Sequence, residues 1–153
     1  YVTDIHKEHL DKVAIYNPVV VDKEAIYDLD VDIYAPCALG ATLNTANIEK
    51  LKCSIIAGAA NNQLEDEIVH GQLLMRKGIL YAPDFLINAG GLINVYSEIK
   101  GYDRAKAMAA TSHIFNVTLD IFKKSKAENI PTVDAAKNLA EKRIADAKLA
   151  KAL

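Results

Sequence analysis

The sequence predicts an α/β fold, a parallel sheet covered by helices on both faces and followed by a mainly helical region. Three observations lead there. Through residue 82, short apolar runs rich in β-branched residues alternate with stretches of helical periodicity. From Phe85 onward that alternation stops and almost every stretch reads as helix. Three successive strand candidates also run into turns built of small residues and carboxamides. Strands this short and apolar, interleaved with helices, are those of a sheet buried on both sides.

In chain order, Val2 to Ile5 reads as the first strand and Lys7 to Tyr16 as the helix after it. Val19 to Val21 is a second, shorter strand, followed by a brief helical stretch at Lys23 to Tyr27. Val31 to Ala35, Ser54 to Ala57 and Ile79 to Ala82 complete the strands, with helices at Thr45 to Leu51 and Glu65 to Lys77 between them. The acids Glu65, Asp66 and Glu67 open the second of these helices, where negative charge complements the dipole. Further on, Gly101 separates two helices. Met108, Ser112, Phe115, Leu119 and Phe122 then recur at steps of three and four, which predicts one buried stripe. Pro131-Thr132 ends a turn and offers a hydroxyl N-cap to a last helix carrying Ala136, Ala140, Ile144 and Ala147 on one side.

The totals bound the function. At 153 residues and 51% hydrophobic, the chain has material for a single core. A net charge of −2 and a pI near 6.1 argue against binding nucleic acid through phosphates, which needs a basic face. No run approaches the roughly 18 apolar residues of a membrane span. Cys37 and Cys53 form no disulfide framework, and both sit in apolar sequence that reads as buried, consistent with a reducing cytoplasm. His6, His9, His70 and His113 share no metal-ligand spacing with acids, so no metal is expected. Tyr1-Val2-Thr3-Asp4-Ile5 reads as the middle of something, which predicts a piece of a longer polypeptide.

Four places carry chemistry. Asp4 ends an apolar strand, where an acid can accept hydrogen bonds from a ribose diol and disfavour a 2′-phosphate; it equally suits capping the helix near Lys7. Ala35-Pro-Cys-Ala-Leu-Gly-Ala41 lets backbone groups reach a ligand at the carboxyl edge of the sheet, either as a wall of small residues or with Cys37 as a nucleophile. Gly58-Ala-Ala-Asn-Asn-Gln63 repeats the plan with three consecutive amides, which either cap a helix or meet a ligand without carrying charge. Finally, Tyr81 to Val95 (YAPDFLINAGGLINV) places Gly90 and Gly91 inside an apolar stretch beside Asn88 and Asn94. Paired glycines there are unfavourable unless another backbone or a flat ligand must approach closely. An apolar surface with a few fixed amides suits a planar, polar-edged ligand such as a nicotinamide ring.

Those three blocks together resemble the nucleotide-binding domain of the glutamate/leucine/phenylalanine/valine dehydrogenases, in order and spacing over nearly the whole chain. The double Asn and the Cys-Ala-Leu-Gly block are most similar to the leucine-type members. The resemblance implies a Rossmann-like doubly wound parallel sheet, with residues 1–153 forming a partial NAD-binding domain: βα units over 1–82 and mainly helices over 83–153. It also implies NAD as cofactor and oxidative deamination of an L-amino acid to a 2-oxo acid and ammonium. On that basis Asp4 binds the adenosine ribose, and Cys37 and Ala38 line the cofactor's path. Asn61 and Asn62 meet the nicotinamide ribose, Asn61 also reaching the substrate side, and Asn88 holds the nicotinamide end. Leu92 and Val95 face the substrate side chain. Both are aliphatic, which favours a branched-chain substrate, because a carboxylate there would lose its hydration without a cation in return.

The departures from the family pattern are large. Its catalytic lysines and acid belong to an N-terminal domain that the sequence does not contain, so no catalytic residue is expected here. The first strand and the Gly-rich phosphate loop are also absent. In a doubly wound sheet of order 3-2-1-4-5-6 that strand is central, so a gap is expected between the strand at Val2 and the strand at Val31. The expected partners are the amino acid or 2-oxo acid substrate, the N-terminal domain and further copies in a homo-oligomer. A non-catalytic dinucleotide- or metabolite-binding module, or a phenylalanine or glutamate dehydrogenase, are the competing readings.

Overall fold

The structure, a computed structural model, describes residues 1–152, so Leu153, the last residue of the expected domain, lies outside the described residues. Three parallel strands form the sheet: β1 (Ile33–Tyr34), β2 (Ile55–Ile56) and β3 (Leu80–Tyr81), side by side in that order. Their register aligns Tyr34, Ile56 and Tyr81 at the carboxyl edge. Each crossover carries one helix, α2 (Thr45–Lys50) between β1 and β2, and α3 (Glu67–Arg76) between β2 and β3. The strands are shorter than the apolar runs that announce them, because only two residues of each run fall in register with a neighbouring strand.

Helix α2 begins at Thr45 as expected, whereas α3 begins at Glu67, two residues after the expected Glu65, because Asp66 serves as its cap. Asn44 caps α2, its Oδ1 accepting from Asn47 N–H at 2.9 Å. Asp66 caps α3 and accepts from the N–H groups of Ile68 and Val69. Ile48, Leu43, Ile56 and Leu74 are among the most buried side chains and form the centre of the main core with Tyr27, Leu51, Ile79, Tyr81 and Val133. His70 is a buried packing residue: its Nδ1 accepts from Asp66 N–H, so Nε2 carries the proton toward the Thr45 hydroxyl at 3.1 Å. It fastens α3 to α2.

The amino-terminal part stands apart from this sheet. Val2 and Val20 pair in parallel as one isolated bridge, replacing the two strands expected there. Helix α1 (Lys7–Val13) and a 3₁₀ turn at Ala14–Tyr16 lie between them. A second 3₁₀ turn, Ala25–Asp28, occupies the expected helix at Lys23 to Tyr27 and anchors this part to the core through Tyr27, whose ring lies 5.8 Å from that of Tyr34. No contiguous five-stranded sheet forms among the described residues, and the gap between the Val2 and Val31 regions is not closed by re-pairing.

Beyond β3 the chain is helical: α4 (Asp84–Ile87), α5 (Gly90–Ile99), α6 (Arg104–Ser112), α7 (Ile114–Glu128) and α8 (Thr132–Ala152). Gly101, at φ +81°, lies just past α5, a backbone conformation that glycine adopts without strain. Of the predicted stripe from Met108 to Phe122, only Phe122 packs against the core. Val117 and Ile121 are buried against α8 and Ala107 is buried on α6, whereas Met108, Phe115 and Leu119 face outward. The periodicity identified an apolar helix face, but a second apolar line took the core. Thr132 is likewise the first residue of α8 rather than its cap, and of the last helix's predicted face only Ala136 is buried.

Candidate functional site

Three turns leave the carboxyl edge of β1, β2 and β3 and pack against one another. The first, at 35–41, touches the second through two glycines. A Cβ on Gly58 would lie 2.1 Å from the Pro36 carbonyl oxygen, and one on Gly40 would lie 2.8 Å from that of Asn62. Only glycine permits these approaches. Ala60 N–H donates to Pro36 O at 3.1 Å, and Ala41 N–H donates to Asn62 O, so the turns are stitched by backbone bonds as well. Ala41 and Asn62 both have positive φ, 59° and 53°. Asparagine tolerates that region better than most residues.

The second turn meets the third through two links. At the surface, the Asn88 amide donates to Asn61 Oδ1. Asn61 is the amide expected at the nicotinamide ribose and Asn88 the one expected at the nicotinamide end, and the fold brings the two into direct contact across 27 residues of sequence. Deeper, Asp84 Oδ2 accepts from the backbone N–H of Gln63 at 3.0 Å while its Oδ1 accepts from Phe85 N–H at 2.7 Å. Gln63 is fully buried, and its amide nitrogen donates to the carbonyls of Gly58 at 2.7 Å and Ala60 at 2.9 Å. Sequence reading placed Gln63 among the ligand-facing amides. Its side chain instead turns inward and braces its own turn.

The remaining expected site residues are placed as follows. Cys37 and Ala38 are exposed on the first turn, beside Leu39, which is 97% exposed. The expectation of two buried cysteines holds only for Cys53, whose thiol burial pushes upward. Cys37 is open because the 35–41 turn projects beyond the sheet edge. Asn62 lines a pocket of about 280 Å³ with Glu65, Glu67 and Phe85 rather than pairing with Asn61. Leu92 and Val95 lie on one exposed face of α5, 73% and 57% exposed, continued by Tyr96 and Ile99. Asn94 accepts a hydrogen bond from the Tyr102 hydroxyl at 3.1 Å. Gly90 admits Thr111 of α6, 3.3 Å from where its Cβ would be, while Gly91 borders open space. The glycine pair therefore serves helix packing at one position and no protein contact at the other.

Asp4 follows the Val2 bridge and is exposed. Its carboxylate accepts from His6 N–H at 2.7 Å and pairs with His9 Nδ1 at 3.0 Å. Those two partners hold its carboxyl below the usual range. Asp4 does not cap α1, whose N-cap is His6 without a side-chain cap bond; it braces the residue before the helix instead, and a carboxylate with about four acceptor sites retains capacity for a diol. Among the described residues, no group of three or more His, Cys, Asp or Glu is placed to hold a metal ion, and no helix is long and apolar enough to cross a membrane.

The family model for glutamate/leucine/phenylalanine/valine dehydrogenase matches residues 1–152. The L-tryptophan dehydrogenase of Nostoc punctiforme is 51% identical over 152 residues, 99% of this chain and 43% of its own. The leucine dehydrogenase of Thermoactinomyces intermedius is 49% identical over 144 residues, 94% of this chain and 39% of its own. The crystal structure of the Nostoc enzyme matches with a TM-score of 0.92 over 96% of this chain and 44% of that one, at 51% identity. A hetero-hexameric glutamate dehydrogenase from Thermus thermophilus shares the fold, with a TM-score of 0.68 at 18% identity over 92% of this chain and 36% of that one. The chain spans less than half the length of the curated relatives it matches.

Proposed function

Because this chain belongs to the glutamate/leucine/phenylalanine/valine dehydrogenase family, we propose that it supplies the NAD-binding part of an enzyme that oxidatively deaminates a hydrophobic L-amino acid, of the leucine or valine type, to its 2-oxo acid and ammonium. The observation that carries this reading is the meeting of Asn61 and Asn88 at the carboxyl edge of β2 and β3. That is the side on which open α/β sheets bind ligands.

The residues present fit a dinucleotide. Asn61 and Asn88 offer amide donors and acceptors without charge, suited to a carboxamide and a ribose hydroxyl. Asp4 offers a carboxylate to the adenosine ribose, and its charge repels a 2′-phosphate, which selects NAD over NADP. Cys37 and Ala38 form the small-residue wall of the path. NAD supplies the nicotinamide that accepts the substrate's α-hydrogen together with its electron pair. The chain's own contribution is to hold that ring against the α5 face and to exclude water there. Catalytic proton transfer falls to the N-terminal domain that the family resemblance implies, so residues 1–153 alone are expected to be inactive.

Leu92 and Val95 present the aliphatic surface for the substrate side chain. Burying a carboxylate against them without a cation is unfavourable, which disfavours glutamate. The exposed stripe continues through Tyr96 and Ile99, beyond the reach of one amino acid side chain, and the N-terminal domain or a further copy in a homo-oligomer would cover it. A second reading, an aromatic substrate, is favoured by the 51% identity to a tryptophan dehydrogenase. Steady-state NADH formation by the natural full-length protein on leucine, valine, phenylalanine, tryptophan and glutamate tests both. Leucine or valine is expected to lead, a preference for tryptophan would install the second reading, and a preference for glutamate would overturn the pocket argument.

A further inference from the structure

Two links join the second and third turns, and only the outer one can open toward a ligand. The outer link, Asn88 to Asn61, is exposed. The inner one is buried: Gln63 is fully buried and Asp84, lining the pocket beside Asn62, is 8% exposed. Asp84 Oδ2 accepts from Gln63 N–H, Oδ1 accepts from Phe85 N–H, and the Asp84 N–H faces the Tyr81 hydroxyl at 3.3 Å. The Gln63 carbonyl also accepts from Leu43 N–H at 2.9 Å, two residues past the first turn. Each asparagine is anchored close to this inner link. Asn61 lies two residues before Gln63, inside the turn that the Gln63 amide braces at Gly58 and Ala60. Asn88 caps the single helical turn begun by Asp84, its N–H donating to Asp84 O at 3.0 Å.

We infer that Asp84 and Gln63 are positioning residues for the dinucleotide: a buried strut that keeps the Asn61 and Asn88 turns at binding distance while the two amides exchange their mutual hydrogen bond for bonds to the ligand. The inference rests on the functional reading above. Charge-assisted bonds from a desolvated carboxylate are stronger than the neutral amide pair, so the inner link persists when the outer one is given up. Without the strut, the turns of the free protein spend only a fraction of their time aligned, and apparent affinity falls by that fraction. Once bound, the dinucleotide itself spans both turns, so turnover at saturation is largely retained. A residue that merely stabilised the fold would not separate KM from kcat in this way.

The test uses the natural full-length protein with NAD and its best amino acid. Asp84→Asn leaves one amide N–H₂ facing a backbone N–H, and Gln63→Met leaves the Gly58 and Ala60 carbonyls without their donor. Both variants are expected to raise the KM for NAD about tenfold with kcat changed less than threefold. His70→Gln, a buried polar change away from these turns, is expected to lower the unfolding temperature with the KM for NAD within twofold of the parent. In an Asn61→Ala/Asn88→Ala background, Asp84→Asn is expected to add less than a further twofold, since residues acting through one another are not additive. An unchanged KM in both strut variants, or full additivity with the asparagine changes, would overturn the inference alone. An unchanged KM in the Asn61→Ala/Asn88→Ala protein would overturn the functional reading and this inference with it.

Discussion

Replacing Gly58 by alanine tests the packing of the site's turns more sharply than any change at its surface. The added Cβ would lie 2.1 Å from Pro36 O, 2.5 Å from its N and 2.6 Å from its carbonyl carbon. All three are backbone atoms, so no rotamer change relieves the clash. Relief requires the turn at 57–63 to move by about 1 Å away from the turn at 35–41, given a normal closest approach near 3.4 Å for such atoms. That movement stretches the Ala60 N–H bond to Pro36 O and pulls on the Ala57 N–H bond to Tyr34 O, both 3.1 Å. Overpacking of this kind costs about 1–3 kcal/mol, and one buried bond lost costs about 1 kcal/mol more. A combined loss of about 3 kcal/mol lowers the unfolding midpoint by roughly 6–12 °C in a body of this size. Gly91→Ala is the control: nothing lies within 4 Å of its Cβ, and helix propensity gains up to about 1 kcal/mol. Circular dichroism melting curves of the two variants decide the matter. A Gly58→Ala midpoint within about 2 °C of the parent would refute the reasoning, since the misfit is worth several times that.

Three further outcomes follow from the same structure. Asp4's carboxyl is held below its usual value of 3.8, so its bonds to His6 and His9 contribute fully above about pH 4 and are lost as pH falls through the depressed value; Asp4→Asn is expected to lower stability slightly and by a constant amount above about pH 4 and to flatten the stability–pH curve below it, which denaturant titrations between about pH 2 and 7 would measure. Of the two thiols, Cys37 is exposed and Cys53 is buried with its ionisation pushed up, so a chromogenic thiol reagent is expected to titrate one thiol quickly in the native protein and both after unfolding, with bound NAD slowing the first. Leu92→Lys places a cation on the proposed substrate face, and the ratio of kcat/KM for leucine over glutamate is expected to fall at least tenfold, a change worth about 1.4 kcal/mol.

The sequence was most legible where chemistry and backbone geometry coincide. Gly58, Asn61, Gln63 and Asn88 stand out because small residues and amides after apolar strands have few other uses, and the structure gathers all three turns at one edge. Partner choice was not legible. Val2 and Val20 read as strands, yet each finds only the other, because a strand's length depends on the neighbours it meets. Met108, Phe115 and Leu119 form a valid helical stripe, but Val117 and Ile121 reach α8 first. The direction of Gln63 was also hidden: three amides in a row look alike, and only the buried carbonyls of Gly58 and Ala60 separate the inward one from its neighbours. Asp84 lies within the Tyr81 to Val95 stretch, but its reach across to Gln63 required the fold.

A crystal structure of the natural full-length protein with NAD bound tests the central claim most directly. The account predicts the nicotinamide end within about 3.2 Å of the Asn61 and Asn88 side-chain amides, with the Asp84–Gln63 bond intact beneath them. A dinucleotide seated elsewhere, with the two asparagines still bonded only to each other, would contradict it.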